Sequence, residues 1–201
     1  MPRQCSNPSK LVLSLCDFSG NWPRYYTEPE YEVLKVDIKT TGDVRLYQFL
    51  DRPVHGILCA PPCTDFSGSG AQYWSAKDAN GSTLTALSIV DACLRMVAIY
   101  KPKFWALENP VGRLRRWLGP PRFIFNPCDF AGYTEDDSDR YTKKTCLWGD
   151  FTAPTTDAKQ PIRVCPQGSW LQKLGGKSER TKTLRSMTPL GFARAFFEAN
   201  R

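Results

Sequence analysis

Short apolar runs, separated by glycine, proline and polar residues, recur along most of the chain. Each run is only a few residues long and ends at residues that favour turns. Runs of this length with such boundaries are typical of buried β-strands, since a buried helix needs a longer segment. We predict strands at residues 10–16, 31–38, 54–60, 104–107, 123–125 and 145–148.

Two segments have the period of a helix instead. Apolar residues recur at three- and four-residue steps between residues 84 and 100, where Ser82 or Thr83 would cap the first turn. A second, shorter apolar face lies in residues 190–199, after Thr188 and Pro189. Strands that alternate with helices predict an α/β fold, with a mostly parallel twisted sheet and helices on both faces.

Length and charge narrow the class of protein. A chain of 201 residues fits one domain spanning residues 1–201. It has no run of roughly 18 apolar residues and no signal-peptide layout at its start, so we expect a cytoplasmic monomer without membrane contact. Lys and Arg outnumber Asp and Glu by 27 to 20. The resulting charge of +7 favours a polyanionic partner.

The cysteines do not suggest a metal site or a disulfide framework. All eight are irregularly spaced, no Cys-x-x-Cys pair occurs, and His55 is the single histidine. We therefore expect reduced thiols and no bound metal. His55 falls inside the strand predicted at residues 54–60, where a packed imidazole is the simpler interpretation, so catalysis by a Cys-His pair is not expected.

Cys63 is the strongest candidate for chemistry. The strand predicted at residues 54–60 must end at Pro61 and Pro62, because proline cannot donate to a sheet ladder. Cys63 then follows the carboxyl end of that strand, where α/β proteins bind their ligands. A loop rich in Gly and Ser comes next and could close over a ligand. A nucleophile and a half-buried structural cysteine are both consistent with this position.

Carboxylates follow other predicted strands. Asp37 ends the second strand about twenty residues after the turn that contains Gly20, an arrangement by which nucleotide-binding folds hold a ribose. A solvated acid is the alternative. Glu108 ends the fourth strand, before Pro110. A right-handed crossover helix would place Glu108 beside Cys63, although a lone acid here is more often on the surface.

Two segments are basic. Residues 112–122 carry several arginines around Trp117, which is consistent with contacts to phosphates, and equally with a solvated amphipathic turn. Residues 150–186 contain prolines, glycines and scattered cations without periodicity. We interpret them as a short irregular basic insertion.

The order of these motifs resembles the DNA cytosine-5 methyltransferase family, in particular its compact phage and prophage members. Phe18-Ser19-Gly20 is similar to the family's S-adenosylmethionine turn, Pro62-Cys63 to its nucleophile motif, and Glu108-Asn109 to its cytosine-holding motif. The resemblance extends over residues 11–200. It implies a Rossmann-like methyltransferase fold, S-adenosyl-L-methionine as cofactor, DNA as partner, and the cytoplasm of a bacterial host for a phage-encoded enzyme.

The resemblance and the residues together assign a set of sites. The catalytic residues would be Cys63, Glu108 and Lys144. The cofactor-binding residues would be Asp17, Phe18, Ser19, Gly20, Asn21, Trp22, Asp37, Ile38, Asp43, Val44 and Pro61. The residues that bind the target base or DNA would be Pro62, Ser67, Ser69, Asn109, Arg113, Arg115, Arg116 and Lys143.

The chain departs from the family at several points. Trp22 stands where a second glycine is usual, and Thr64 where glutamine is common. Lys143-Lys144 is the nearest counterpart of the family's Gln-x-Arg-x-Arg motif, and only residues 150–186 could replace a target-recognition domain. The expected activity is covalent methylation of C5 of a flipped-out cytosine in a short target sequence. A related enzyme with another substrate or one-carbon donor, and an inactive nucleic-acid-binding relic, are the alternatives.

Overall fold

A six-stranded mixed sheet forms the centre of the protein, as described for residues 9–162 and 178–201 by a computed structural model. The strands are arranged in the order β2-β1-β3-β4-β6-β5. Their bounds are Lys10–Leu15 for β1, Tyr31–Val36 for β2, Gly56–Cys59 for β3, Phe104–Pro110 for β4, Phe123–Phe125 for β5 and Thr145–Asp150 for β6.

The first four strands are parallel and the last two pairings are antiparallel. Strand β1 lies between β2 and β3, and β3 pairs in parallel with β4. Strand β6 runs antiparallel to both β4 and β5. The predicted α/β class and the adjacency of β3 and β4 are confirmed. Because the chain crosses from β2 over β1 to β3, the sheet has a topological switch point between β1 and β3.

Helices cover the sheet. Helix α2, Ser82–Tyr100, is the long crossover between β3 and β4, and the short helix α1, Trp74–Ala79, precedes it. Among the described residues, the other α-helices are α3 at Arg115–Leu118, α4 at Glu179–Ser186 and α5 at Leu190–Ala199. Short segments of 3₁₀-helix lie at Trp22–Tyr25, Val44–Leu46, Gly68–Tyr73 and Pro127–Tyr133.

Alternation along the strands divides the core into two layers. Leu13 and Ile57 face one side, where they pack with Val90 and Met96 of α2. Neighbouring residues such as Leu58 face the other side, with the aromatic residues of α5. Side chains of successive strand residues point in opposite directions, so every strand of the sheet's centre is buried on both faces.

Several strands and helices begin or end at residues other than those predicted. Strand β3 begins at Gly56, so His55 precedes it rather than lying inside it. Strand β4 extends three residues beyond the predicted range of 104–107 and ends at Pro110, which pairs with Thr145. Helix α2 begins two residues earlier than expected, after Gly81 in a left-handed conformation with φ of 81°.

The segment interpreted as an irregular insertion is partly regular. Phe151 is buried, and Thr152 exchanges backbone hydrogen bonds with the side chain of Asn200, at 2.8 and 2.9 Å. Helix α4 occupies the end of this segment, and the sequence interpretation did not predict it. The rest of that prediction, residues 163–177, lies outside the described residues.

Helix α2 is also long and apolar enough to cross a membrane, by length and composition alone. A core helix of a soluble protein passes the same test, and α2 buries Val90, Cys93 and Met96 in the layer that it shares with the sheet.

Candidate active site at the carboxyl edge of the sheet

The carboxyl ends of β1 to β4 meet at one edge of the sheet. Leu15, the last residue of β1, pairs with both Val36 and Cys59, so Asp17, Asp37 and the segment leading to Cys63 leave the sheet side by side. Because β6 is antiparallel, its first residue, Thr145, lies beside Pro110 at this same edge. The residues that precede β6 therefore join the group.

Asn109 supports the segment that carries Cys63. Its side chain is fully buried, and Nδ2 donates a 3.0 Å hydrogen bond to the carbonyl oxygen of Pro61. Beyond the prolines, the Cys63 carbonyl accepts the N–H groups of Phe66 at 3.0 Å and Ser67 at 2.9 Å. The chain thus turns sharply at the thiol, which is half-buried.

This geometry corrects two assignments. Asn109 was predicted to contact the target base, and Pro61 the cofactor, but both are buried and bonded to each other. Their role in the structure is to fix the Pro61-Pro62 segment between β3 and β4. Pro62 itself is exposed next to Cys63, which is compatible with the predicted contact to a substrate.

Glu108 lies within β4 rather than beyond its tip, opposite Leu147 of β6. Strand alternation puts its side chain on the same face as Ala106. Burial raises the pKa of the Glu108 carboxyl; the charge of Lys143 acts in the opposite direction, and that of Asp17 adds to the rise. A carboxyl group with a raised pKa keeps its proton to higher pH and can donate a hydrogen bond.

The charge of Lys143 also acts on Cys63, as does the Glu108 carboxyl group itself. Burial raises the pKa of its thiol, the Glu108 carboxylate raises it further, and the positive charges of Lys143 and Arg185 lower it. Cys63, Glu108 and Lys143 are therefore electrostatically coupled to one another. The predicted pairing of one thiol with one carboxyl group is found at neighbouring strands.

The cation at this site is Lys143 and not Lys144. Lys143 Nζ donates a 2.9 Å hydrogen bond to the carbonyl oxygen of Arg185, in α4. Lys144 is exposed, and its carbonyl oxygen accepts the Val111 N–H at 3.1 Å. Continuing the alternation of β6 backwards puts residue 143 on the face of Glu108 and residue 144 on the opposite face, so Lys143 rather than Lys144 is the cation that the structure brings to Glu108.

Asp17 organises the turn after β1. Its buried carboxylate accepts hydrogen bonds from Ser19 Oγ at 2.6 Å, Gly20 N at 3.0 Å and Trp22 N at 3.1 Å. Gly20 has a φ of 67°, which favours glycine, and a Cβ there would press against Lys35. Asp17 and Ser19 thus shape the turn that was predicted to bind the cofactor.

Asp37 and two exposed apolar side chains lie beside this turn. The Asp37 carboxylate is mostly buried and accepts the Lys39 N–H at 2.9 Å. Ile38 is 72% exposed and Phe18 is 47% exposed, with the ammonium group of Lys39 4.9 Å from the centre of the Phe18 ring. An acid next to exposed apolar surface is suited to a nucleoside, which presents ribose hydroxyls and a flat base.

Other residues predicted to bind the cofactor have different roles. The Trp22 side chain is fully buried between Phe192 and Phe196 of α5, and Val44 is in the core as well. Asn21 Nδ2 donates to the carbonyl oxygen of Thr188 at 3.1 Å. These side chains hold the surrounding elements together. Trp22 and Val44 are buried and leave no surface for the predicted cofactor contact, whereas the partly exposed Asn21 keeps its prediction.

Asp43 is engaged by a neighbouring arginine. Its carboxylate accepts hydrogen bonds from Arg45 through the backbone N–H and the guanidinium, at 2.9 and 3.0 Å. These bonds hold the pKa of the Asp43 carboxyl below its usual range. The predicted contact between Asp43 and the cofactor would have to share this carboxylate with Arg45.

The basic segment divides into buried and exposed parts. The Arg113 side chain is only 1% exposed and forms an ion pair with Asp78, so its predicted contact with DNA phosphate is wrong. Arg115 and Arg116 are exposed in α3 and keep that prediction. Ser67 and Ser69 bond to each other, with 3.0 Å between their hydroxyl oxygens, on the loop that follows Cys63.

Sequence reasoning missed several residues around this edge. Asp78 and Thr83 bind Arg113, and Lys77 Nζ donates to the Thr64 carbonyl at 2.6 Å and pairs with Asp65 at 3.1 Å. No motif indicated these contacts, because they join segments that meet only in the tertiary structure.

Within residues 9–162 and 178–201, no group of three or more His, Cys, Asp or Glu side chains is placed to hold a metal ion. Comparison with known proteins adds no assignment: no protein-family model matches the chain, and no curated protein matches its sequence.

Proposed function

We propose that the protein is a DNA cytosine-5 methyltransferase, which transfers a methyl group from S-adenosylmethionine to C5 of a cytosine. One observation carries this proposal. Cys63 follows β3, Glu108 lies within the adjacent parallel strand β4, and the charge of Lys143 acts on both groups. A thiol, a carboxyl group whose pKa is raised by burial, and a cation form the set that covalent activation of a pyrimidine needs.

The sheet is compatible with the finer fold that this function requires. Its switch point between β1 and β3 is where a Rossmann-like domain binds a nucleoside cofactor. The Asp17 turn and Asp37 leave the sheet at this point. We therefore include a Rossmann-like methyltransferase fold in the proposal.

The residues at the switch point fit the cofactor. Asp37 would accept hydrogen bonds from the ribose hydroxyls, the exposed Ile38 would cover one face of the adenine, and Gly20 would let the backbone approach closely. S-adenosylmethionine supplies an electrophilic methyl group. The contact surface would come from Phe18 and Ile38 rather than from Trp22 or Val44, which are buried.

Cys63 would begin the reaction on the cytosine. Its thiolate adds to C6, which breaks the ring's aromaticity and moves electron density toward C5. Burial raises the pKa of the Glu108 carboxyl, and its protonated form would donate a hydrogen bond to N3 and stabilise the charge that develops there. Lys143 would favour the thiolate and interact with the O2 carbonyl of the base.

The covalent adduct must then collapse. Once C5 has accepted the methyl group, it carries both that group and its original proton. Loss of this proton to solvent and release of the Cys63 thiolate from C6 restore the aromatic ring. The net change would be replacement of the C5 hydrogen by a methyl group, with the sulfur–methyl bond of the donor broken, S-adenosylhomocysteine and one proton released, and the Cys63 thiolate regenerated.

A cytosine in duplex DNA must leave the helix to reach this edge, at a cost of about a few kcal/mol. Arg115 and Arg116 are exposed beside the nucleophile loop and would bind phosphates, which positions DNA without reading its sequence. Ser67 and Ser69 are on that loop and would contact the displaced base or its neighbours. The net charge of +7 supports a polyanionic substrate.

A covalent trap tests the proposal. DNA containing 5-fluorocytosine cannot lose the C5 substituent, so the protein with S-adenosylmethionine should form an adduct that survives denaturation. Cys63→Ser should form none. A parallel assay with labelled cofactor and ordinary DNA should yield 5-methylcytosine.

The outcomes separate the competing functions. An adduct without methyl transfer would indicate a related enzyme that uses another one-carbon donor. DNA binding with neither adduct nor label would indicate a nucleic-acid-binding relic. Absence of binding, adduct and label in every DNA context would contradict the proposal.

A further inference from the structure

Arg113 is a buried arginine just beyond the end of β4. Nε donates to the carbonyl oxygen of Asp65 at 2.9 Å, Nη1 to the Asp78 carboxylate at 2.7 and 3.0 Å, and Nη2 to Thr83 Oγ1 at 2.6 Å. Every nitrogen of the guanidinium group is thus hydrogen-bonded, and the side chain is 1% exposed. One side chain connects the loop after Cys63 to α1 and α2.

Two tryptophans enclose the guanidinium. Its central carbon lies 5.1 Å from the ring centre of Trp74 and 5.7 Å from that of Trp117, distances typical of cation–π contacts. Trp117 also packs edge-on against Phe66, which is fully buried at the base of the nucleophile loop. The charge is therefore held in a shielded environment from which it cannot rotate into water.

The backbone around Arg113 is paired with the same loop. Arg113 N donates to the carbonyl of Phe66 at 2.8 Å, and Gly68 N donates to the carbonyl of Val111 at 3.0 Å. Ser67 and Gly112 form an isolated antiparallel bridge, where a Cβ on Gly112 would overlap the Phe66 carbonyl oxygen. The loop after Cys63, residues 65–72, was expected to close over a ligand. These contacts anchor its first half and oppose that movement.

The energetics of a buried cation make this network cooperative. Hydrogen bonds between charged groups are strong, but a buried charge that loses one partner is left uncompensated. The Asp65 carbonyl and the Asp78 carboxylate therefore hold the guanidinium in one orientation. Asp78 is 53% exposed, so its replacement perturbs the network with little loss of packing.

We propose that Arg113 is a positioning residue that locks the start of the nucleophile loop, residues 63–68, in the orientation from which Cys63 reacts. The inference rests on the proposed function for its catalytic consequence. Arg113 touches neither DNA nor cofactor in this proposal. It acts through the carbonyl groups of Asp65 and Phe66, which follow the Cys63 turn.

The experiment compares Asp78→Asn with a matched pair elsewhere. Asp78→Asn keeps the shape of the side chain and removes the charge, and Asp78→Glu restores it. Glu32→Gln makes the same change in the exposed pair with Arg52, whose bonds are 3.0 and 2.7 Å long, away from the loop. All four proteins, including wild type, are studied as full chains.

The first readout does not depend on the proposed function. We expect Asp78→Asn to increase hydrogen exchange in residues 64–70 and to change the alkylation rate of Cys63 by iodoacetamide at least about threefold, since loosening a loop by 1 Å has large effects on reactivity. Peptide mapping distinguishes Cys63 from the other cysteines. Asp78→Glu should restore both values, and Glu32→Gln should change neither.

The second readout is methylation kinetics. We expect Asp78→Asn to lower kcat about 10- to 100-fold while KM for S-adenosylmethionine stays within about twofold, because positioning affects the reacting geometry rather than cofactor binding. The midpoint of thermal unfolding should fall in Asp78→Asn, because the buried guanidinium loses its charged partner, and Asp78→Glu should restore it.

The outcomes distinguish the inference from the proposed function. If wild type does not methylate DNA but Asp78→Asn alters exchange and Cys63 alkylation as expected, the proposed function fails and the positioning role stands. If exchange and alkylation in Asp78→Asn match wild type, the inference is overturned. A large fall in thermal stability without rescue by Asp78→Glu also overturns it, because Arg113 would then serve the fold alone.

Discussion

Lys143 Nζ donates a hydrogen bond to the backbone carbonyl of Arg185, 2.9 Å away. This bond joins Lys143, two residues before β6, to helix α4 at the edge of the sheet where Cys63 and Glu108 are found. Both of those groups are electrostatically coupled to Lys143. Residues remote in sequence thereby set the charge at the candidate nucleophile.

Replacing Lys143 should make Cys63 less reactive. Lys143→Met removes a positive charge that lowers the thiol pKa, so the pKa should rise and alkylation of Cys63 at neutral pH should slow. The pH profile of iodoacetamide alkylation, followed by peptide mapping, measures the shift. Lys144→Met is the matched control and should leave the profile unchanged. An equal effect from both variants would contradict the assignment of Lys143.

Glu108 should make stability depend on pH in a defined direction. Burial raises its pKa in the folded state, so the native protein holds the proton that the unfolded chain loses. Its contribution is fully present below the ordinary glutamate pKa of about 4.3 and is lost as pH rises through the folded pKa, by at most about 1.4 kcal/mol per pH unit.

The variant Glu108→Gln tests this sign. Glutamine has no proton to lose. The free energy of unfolding of the variant should therefore increase relative to that of wild type as pH rises from about 4.3. Urea unfolding between acidic and alkaline pH measures the difference. Glu32→Gln should show a difference of the opposite sign and only below a pH of about 4.3, because hydrogen bonds from Arg52 lower the Glu32 pKa, so wild type loses that contribution as pH falls. A flat difference for Glu108→Gln would refute the burial of this carboxyl group.

Gly112 should tolerate no side chain. A Cβ there would overlap the Phe66 carbonyl oxygen, so Gly112→Ala must displace the strand-like contact between the nucleophile loop and residues 111–113. We expect a loss of about 1–3 kcal/mol in the free energy of unfolding, as for other overpacked sites. Gly70→Ala is the control in the same loop, since its nearest neighbour, the Thr64 carbonyl oxygen, would be 3.8 Å from the new Cβ. Equal stabilities of the two variants would rule out the close approach.

Asp37 should contribute to cofactor affinity if the proposed function is correct. Asp37→Asn weakens the acceptor for the ribose hydroxyls, and hydrogen bonds to charged groups contribute about 1.5–3 kcal/mol. We expect the Kd for S-adenosylmethionine to rise about 10-fold or more, as measured by isothermal titration calorimetry. Asp51→Asn, at an exposed acid, should leave the Kd unchanged. The same Kd for Asp37→Asn and wild type would remove Asp37 from the site.

The local pattern of residues was sufficient to predict most of the elements. The strands and helices α2 and α5 were found because short apolar runs and helical periods are properties of neighbouring residues. The pairing of Glu108 with Cys63 was also predictable, since the handedness of a crossover through α2 leaves few arrangements.

Other features depended on contacts between distant segments. The strand β4 extends through Pro110 because the antiparallel β6 pairs with it, and nothing near Pro110 predicts that partner. Arg113 looked like its exposed neighbours Arg115 and Arg116, yet it is buried by Asp78 and two tryptophans. Trp22 lies in the core because α5 supplies Phe192 and Phe196.

The amino-acid sequence by itself determined the α/β class, the approximate positions of the strands and the residue types available for chemistry, because hydrophobic periodicity and turn chemistry act over a few residues. Only the tertiary structure decided which charged groups meet. Lys143 instead of Lys144 faces Glu108, and Arg113 is withdrawn from solvent, because side-chain direction and burial follow from strand pairing across the sheet.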